Sequence, residues 1–347
     1  MPKEITIYDL ARELQLSPAT VSRGLKDHKA INKNTKKRII DKAAELGYRS
    51  NNFASNLRKQ KTQTIGVLVP QLNSNFIASV LSGIEKITAL ANYDIIIAHS
   101  SESGKKEIAN ANNLFHKRVD GLIVSLAADT TDLSHFQQFF KRGIPVVFFD
   151  RVEENSNGTK IIIDNYNAAY KATKHLIDQG CTRIAHITRN QKRNVYSKRY
   201  NGYKDALKDN NILFDEKLIF IGPLDKESTI ATAEEIAKMH PLPDGIFAIN
   251  DLSAALCIQV FKERGIRVPE DIAIVGFNND TVGTISNPQL TTINYPAVKM
   301  GEEAASALFN QLSGSKDSTH TKNIILQSEL IIRESSMKRG RPGQINT

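Results

Sequence analysis

Ser17, Pro18, Ala19, Ser22, Arg23 and Lys26 lie within ten residues of one another. On a helix opened by Ser17, the other five share its outward side. From that side Arg23 can grip guanine O6 and N7 with both prongs of its guanidinium, and Pro18 and Ala19 can meet a thymine methyl. Ser17, Tyr8 and Thr35 suit phosphate oxygens, which set register rather than sequence. The same residues would also suit a purely structural bundle with a lysine-rich surface. Enzyme patterns are missing from the chain. No G-x-G-x-x-G follows a strand-like run, and Gly104-Lys105-Lys106 lacks both the first glycine and the final hydroxyl of a phosphate loop. H-E-x-x-H and G-x-S-x-G are absent. The histidines are scattered, and His99 and His186, each at a strand end, read as structural. Cys181 and Cys257 have no metal-type spacing around them, so no metal or cofactor is expected.

Three short helices would have to hold the basic side chains in place. Thr6 can cap the first, with Asp9 three residues on as its capping-box partner. Ile7, Leu10, Ala11 and Leu14 then recur at helical spacing and face a core. Ser17 and Pro18 open the second helix as N-cap and first residue, with Val21 and Leu25 turned inward. Asn32 can cap a third helix from about 33 to 46, with Ile39, Ile40, Ala43 and Leu46 as its apolar stripe and Gly47 as its stop. Two short helices, a tight turn and a third helix make a helix-turn-helix domain whose second helix enters the major groove. Gly24 departs from the pattern: it costs a helix about 1 kcal/mol relative to Ala and suggests a loosened last turn.

Charge divides the chain the same way. Residues 1–61 carry 14 Lys/Arg against 6 Asp/Glu, the stretch from 338 onward carries three basic residues and no acid, and what remains is slightly acidic within a net +9. A basic head on a near-neutral body is the footprint of a nucleic-acid module joined to something else. With 347 residues, 40% of them apolar, there is material for two or three domains with cores. No apolar run approaches a membrane span. Met1-Pro2-Lys3-Glu4 opens no signal peptide, so a cytoplasmic setting is expected.

The head resembles that of the LacI/GalR family of bacterial repressors. Thr6-Ile-Tyr-Asp-Leu-Ala-Arg12, Ser17-Pro-Ala-Thr-Val-Ser-Arg23 and Ala44-Glu-Leu-Gly-Tyr48 carry the likeness. It implies DNA contacts from Ile7, Tyr8, Ser17, Pro18, Ala19, Ser22, Arg23, Lys26 and Thr35. It also makes residues 50–62 resemble a hinge that folds on operator DNA. Ala54 and Leu57 would pack between two hinges, Leu57 wedging the central base step and Arg58 meeting phosphate. Taken without the family, this stretch reads as a linker.

Beyond residue 63, strand-like runs at 65–69, 93–98, 121–124 and 145–149 alternate with helical patterns at 76–91, 105–116 and 133–141. The rhythm restarts with runs at 160–163, 183–188, 217–221, 245–249 and 273–276, separated by helical stretches at 168–179, 197–210, 229–240 and 252–264. Such alternation gives parallel sheets with helices on both faces, in two similar doubly wound lobes, with ligand at the carboxyl ends of the strands. Thr64-Ile-Gly-Val-Leu-Val-Pro70, Val119-Asp-Gly-Leu-Ile-Val124, Asn250-Asp251, Val275-Gly-Phe277, Leu290-Thr-Thr-Ile293 and Ile332-Arg-Glu-Ser335 resemble the family's effector domain, a periplasmic-binding-protein-like (type I) α/β fold. The resemblance implies a head at 1–49, a hinge at 50–62 and an effector domain at 63–337. Chain crossings near Ile163, Thr292 and Ile325 would give an N-lobe of 64–162 plus 293–324 and a C-lobe of 163–292 plus 325–337. It further implies effector contacts from Asn75, Phe76, Asp150, Arg199, Leu224, Asn250, Asn278 and Tyr295. Two of these depart from the family: Asn278 stands where an aspartate is usual, and Leu224 where an aromatic is frequent.

The expectation is a sequence-specific transcriptional regulator rather than an enzyme. Its most natural form is a homodimeric repressor of a carbohydrate-use operon, binding a pseudo-palindromic double-stranded operator and switched by a sugar-like effector between the lobes. The apolar and small residues of the helix at 78–91 are candidates for the dimer interface. Two alternatives stay open: a nucleobase, nucleoside or phosphorylated metabolite as corepressor, and a small-molecule-binding protein without a regulatory role. The basic stretch Lys338-Arg-Gly-Arg-Pro-Gly343 resembles an AT-hook core, but a solvated basic tail is the favoured reading.

Overall fold

The structure is a computed structural model and describes residues 5–48, 61–314 and 322–338. The chain divides into two compact units, 1–62 and 63–347.

The first unit contains α1 (Ile7–Leu14), α2 (Pro18–Leu25) and α3 (Lys33–Glu45). Each starts on the expected cap. The Asp9 amide donates to Thr6 Oγ1 at 3.3 Å while Asp9 Oδ2 accepts from the Thr6 amide at 3.0 Å. The amides of Thr20 and Thr35 donate to Ser17 and Asn32. α3 ends in a Schellman closure, in which Gly47 (φ +64°) and Tyr48 donate back to Ala44 and Ala43. Leu10, Ala11, Leu14, Val21, Ile39 and Ala43 form the core. Lys36 bonds Asp27 at 2.6 Å and so braces the turn between α2 and α3. Gly24 does not mark a loosened turn. It is buried inside an intact α2, and a Cβ there would collide with Cδ1 of Ile39. A close helix crossing, not flexibility, accounts for the glycine.

The second unit has two six-stranded sheets. The first contains β1 (Thr64–Val69), β2 (Asp94–His99), β3 (Gly121–Val124), β4 (Val146–Phe149), β5 (Thr159–Ile163) and β11 (Asn323–Leu326), in the order β11-β5-β4-β3-β1-β2. The second contains β6 (Ile184–Thr188), β7 (Ile219–Ile221), β8 (Gly245–Ala248), β9 (Ala273–Asn278), β10 (Thr291–Asn294) and β12 (Glu329–Ile331), in the order β12-β10-β9-β8-β6-β7. All pairings are parallel except β10 with β12. Central strands such as β3, β4 and β8 are buried along their whole length, which is why they read as continuous apolar runs.

Helices cover both sheets: α4 (Asn75–Leu90), α5 (Gly104–His116), α6 (Gln137–Lys141), α7 (Asn165–Asp178), α8 (Asn194–Asp209), α9 (Lys226–Ala237), α10 (Asp251–Glu263), α11 (Val282–Ile285) and α12 (Ala297–Leu312). α4 and α12 cross at paired glycines. A Cβ on Gly83 would meet the Val298 carbonyl, and one on Gly301 the Val80 carbonyl.

Three expectations change. Residues 160–163 do not open the second set, because β5 pairs with β4 and β11 in the first sheet. The stretch 133–141 is a 3-10 turn followed by five helical residues. The second and third crossings fall later than Thr292 and Ile325: β10 stays in the second sheet to Asn294, and β11 in the first to Leu326. The chain therefore changes lobe at Tyr295-Pro296 and between Leu326 and Glu329.

Candidate functional site

α2 shows the solvent a mixed face. Ser17, Ala19, Arg23 and Lys26 are exposed, and Pro18 and Ser22 partly so. Its inner side, Val21 and Gly24, is spent on the core. Tyr8 is 68% exposed at the start of α1, whereas Ile7 packs against the core and keeps only part of its surface for anything else. Thr35 is half-buried, with its amide held by Asn32. An N-capped helix with a short hydroxyl, a small apolar residue and a guanidinium on its outer side can enter a groove and read base edges. Ala54, Leu57, Arg58 and the basic stretch from Arg339 lie outside the described residues.

Between the two sheets lies a pocket of about 370 Å³ lined by Asn75, Phe76, Ser79, Asn278–Thr281 and Asn294–Lys299. Asn75 and Phe76 begin α4, Asn278 ends β9, and Tyr295 stands on the second crossing. The rings of Phe76 and Tyr295 are 4.5 Å apart and form an aromatic wall. The opposite wall carries amides, a hydroxyl and the Asp280 carboxyl. Asn278 (φ +113°) and Asn279 (φ +59°) take left-handed backbone, and the loop is tied from behind. Asp251 Oδ2 accepts from the Asp280 amide at 2.6 Å, its Oδ1 accepts from the Thr292 hydroxyl at 2.6 Å, and Arg333 donates to Asn279 Oδ1 at 2.8 Å. Burial pushes the Asp251 carboxyl up to about 7, against the pull of those bonds.

Asp150 and Arg199 sit behind Tyr295 rather than in the pocket. The Tyr295 hydroxyl donates to Asp150 Oδ1 at 2.8 Å. Burial raises the Asp150 carboxyl above its ordinary range, although Arg151 and Arg199 oppose this. Arg199 lies 3.6 Å over the Phe277 ring, donates to Asn165 Oδ1 at 2.8 Å and to the Ile249 carbonyl at 3.0 Å, and is pulled down by burial. Asn250 caps α10, its Oδ1 accepting from Ser253 at 2.7 Å. Leu224 (φ +62°) packs beside Val195, Tyr196 and Ile249. Neither of these two lines the pocket. His186 is stacked between Tyr203 and Phe247, donates from Nδ1 to the Phe247 carbonyl, and is pulled down to about 4 by burial. It is a core side chain.

Sequence reasoning missed the polar groups that face each other across the lobes: Glu102, Arg151, Arg189, Arg193, Asn194 and Tyr196. Arg151 bonds Glu102 at 2.6 Å, Arg189 bonds it at 2.8 Å, and Tyr196 Oη accepts from Arg151 at 2.7 Å. These partners are 45 to 87 residues apart, so no local pattern announces them. Among the described residues, no three His, Cys, Asp or Glu side chains are placed to hold a metal, and no helix is long and apolar enough to cross a membrane.

A small head with an exposed basic helix, and a two-lobed α/β body with a pocket between its sheets, define a ligand-responsive transcription regulator. The chain belongs to the lacI family of bacterial regulatory proteins. The family's profile matches residues 6–51, and that of a periplasmic binding protein-like domain matches residues 173–336. Catabolite control protein A of Priestia megaterium is 31% identical over 96% of this chain and 99% of its own length. The HTH-type transcriptional repressor PurR of Vibrio atlanticus is 30% identical over 96% of this chain and 98% of its own. A solved complex of the transcriptional regulator CelR with cellobiose superposes with a TM-score of 0.71 at 27% identity, over 96% of this chain and 100% of that one.

Proposed function

We propose that this regulator is a homodimeric repressor of a carbohydrate-use operon and that a sugar or sugar derivative binds between its lobes. The pocket carries the reading. Asn75, Phe76, Asn278 and Tyr295 line it together, pairing an aromatic wall with amides that can both donate and accept. That combination suits a neutral ring bearing hydroxyls, and 370 Å³ is near the lower end of the ~300–1,000 Å³ usual for ligand sites, which favours a single ring. Asn278 stands in place of a carboxylate, which leaves Asp280 and Lys299 as the charged side chains of the lining. The cellobiose complex of a relative supports the sugar class. The PurR relative and the stacking wall favour a nucleobase as the second reading.

Operator contacts come from Arg23, Ala19, Pro18, Ser22 and Lys26 on α2, and from Tyr8, Ser17, Thr35 and Ile7 around it. By resemblance, Ala54, Leu57 and Arg58 complete the set. A two-fold operator needs a two-fold protein. On α4, Ile77, Val80, Gly83 and Ile84 are spent within the lobe, while Ala78, Ser82, Ala89 and Leu90 remain exposed for a second copy. The protein works in the cytoplasm, where the operator is.

The test is a thermal-shift screen against monosaccharides, disaccharides, uronates, sugar phosphates, nucleosides and purine bases, followed by a mobility-shift assay on a selected palindromic site. A ligand at about 100 times its Kd adds roughly 2.7 kcal/mol. A stabilising monosaccharide that changes operator affinity supports the reading. A purine hit replaces it with the second reading, and failure to shift any palindrome overturns the regulator assignment.

A further inference from the structure

A two-lobed receptor that needs its ligand in order to close leaves polar groups facing one another across an unfilled gap. Here most of those groups satisfy each other, with Nε of Arg193 the one buried atom among them that finds no partner. Glu102 follows β2 in the first lobe. Its Oε2 accepts from Arg151 of the same lobe at 2.6 Å and from the Ala128 amide at 3.1 Å, and its Oε1 accepts from Arg189 of the other lobe at 2.8 Å. Arg151 passes the connection on, donating to the Tyr196 hydroxyl of the other lobe at 2.7 Å with its guanidinium 5.4 Å from that ring. On the same side Arg193 donates to the Thr130 carbonyl. Asn194 donates to the Asp150 carbonyl at 3.1 Å and accepts from the Val152 amide at 3.0 Å. The Arg151, Glu102 and Arg189 side chains are only 8%, 18% and 19% exposed, so water screens them weakly. Burial alone would raise the Glu102 carboxyl. Arg151 and then Arg189 more than reverse this and hold it below the ordinary glutamate range.

We propose that Glu102 is a positioning residue that clasps the lobes together by taking one guanidinium from each, so that closure requires no ligand and the ligand-free chain is the operator-binding form. This rests on the regulator reading above and gives its switch a sign. A corepressor acts by supplying bonds across an open cleft, and this chain already makes them. A ligand that enters beside Phe76 and Tyr295 therefore works by displacing the clasped arrangement, as an inducer.

The experiment uses the full-length chain, unfolded in guanidinium and refolded to strip any ligand. Spin labels are placed through Lys117→Cys and Lys208→Cys, one exposed site on each lobe, and the labelled chain is refolded with an excess of unlabelled chain so that a dimer carries one labelled copy. The native Cys181 and Cys257 are buried. Pulsed electron resonance then reads the distance between lobes. One narrow distance is expected in the unsubstituted clasp, and a longer, broader distribution in Arg189→Ala and in Glu102→Gln. Arg189→Ala is the decisive variant, because it leaves the Glu102 bonds to Arg151 and Ala128 in place. If Glu102 served only to hold its own loop, Arg189→Ala would leave the distance unchanged, and that result overturns the clasp. A broad distribution in the ligand-stripped parent overturns it as well. In the same preparations, operator Kd should rise about tenfold in Arg189→Ala. Equal affinity alongside opened lobes overturns the proposed sign of the switch. The distance measurement contains no DNA, so failure of the regulator reading registers separately, in the mobility shift.

Discussion

At the scale of single residues, type and exposure determine how much a side chain can do. Arg23 is exposed on the outer side of α2, and among the described residues of the head no ion pair holds it in the way Lys36 holds Asp27. Arg23→Ala is expected to cost about 1–3 kcal/mol against the preferred site, while weak, salt-sensitive binding to any duplex persists; competition mobility shifts at two salt concentrations would show it. Asp251 is the opposite case: fully buried, and held at about 7 by burial against the bonds from Thr292 and Asp280. Its folded pKa lies above the unfolded value of 3.8, so the proton is bound more tightly in the native state. The stability it contributes is full below pH 3.8 and is lost as pH rises through 7, on the order of 4 kcal/mol at about 1.4 kcal/mol per unit. Asp251→Asn is therefore expected to destabilise clearly at pH 5 and much less at pH 8, by urea unfolding at both. Residue types made Arg23 legible in the sequence. They could not reveal Asp251 or Glu102, whose roles come from partners far along the chain. They also favoured Asp150 and Asn250 as free ligand contacts, where the fold employs one against Tyr295 and the other as a helix cap.

At the scale of elements, capping and periodicity were legible because they are local. Thr6 with Asp9, Ser17 with Pro18, and Asn32 each start a helix where the sequence says one starts. Buried parallel strands announce themselves as apolar runs. Short edge elements do not: β12 has three residues, none of them fully buried, and lobe changes at Tyr295-Pro296 carry no compositional break. Glycines inside helices were legible only as anomalies, and the structure separates two kinds. At Gly24 an added methyl meets the far end of the flexible Ile39 side chain. Gly24→Ala should therefore stay within about 1 kcal/mol of the parent, as helix propensity offsets repacking. At Gly83 the added methyl meets the Val298 carbonyl, and backbone cannot turn aside. Gly83→Ala should cost roughly 1–3 kcal/mol or more by forcing α4 and α12 apart. Calorimetry on the two variants distinguishes a head transition left in place from a body transition lowered by several degrees.

At the scale of the molecule, the division into a DNA-facing unit and a ligand-facing unit is written into charge and packing together. The basic excess is concentrated in residues 1–61, and the core of the head, built on Leu10, Val21 and Ile39, shares no residue with the cores of the lobes. The two lobes behave differently. One apolar cluster runs through both, from Ile65 and Val67 in the first sheet through Tyr295 on the crossing to Phe247 and Phe277 in the second, and the chain passes between them three times. Separate cores unfold separately and shared ones unfold together. The intact chain should therefore melt in two transitions, a small one for the head and a large one for both lobes. A chain beginning at Gln63 should keep the large transition with its midpoint within a few degrees and respond to the same ligand in a thermal-shift assay, while losing all operator affinity. Scanning calorimetry of the two chains tests this. A large transition that falls sharply when the head is removed would mean that the head's contribution reaches into the lobes, and the independence argued from their cores would fail.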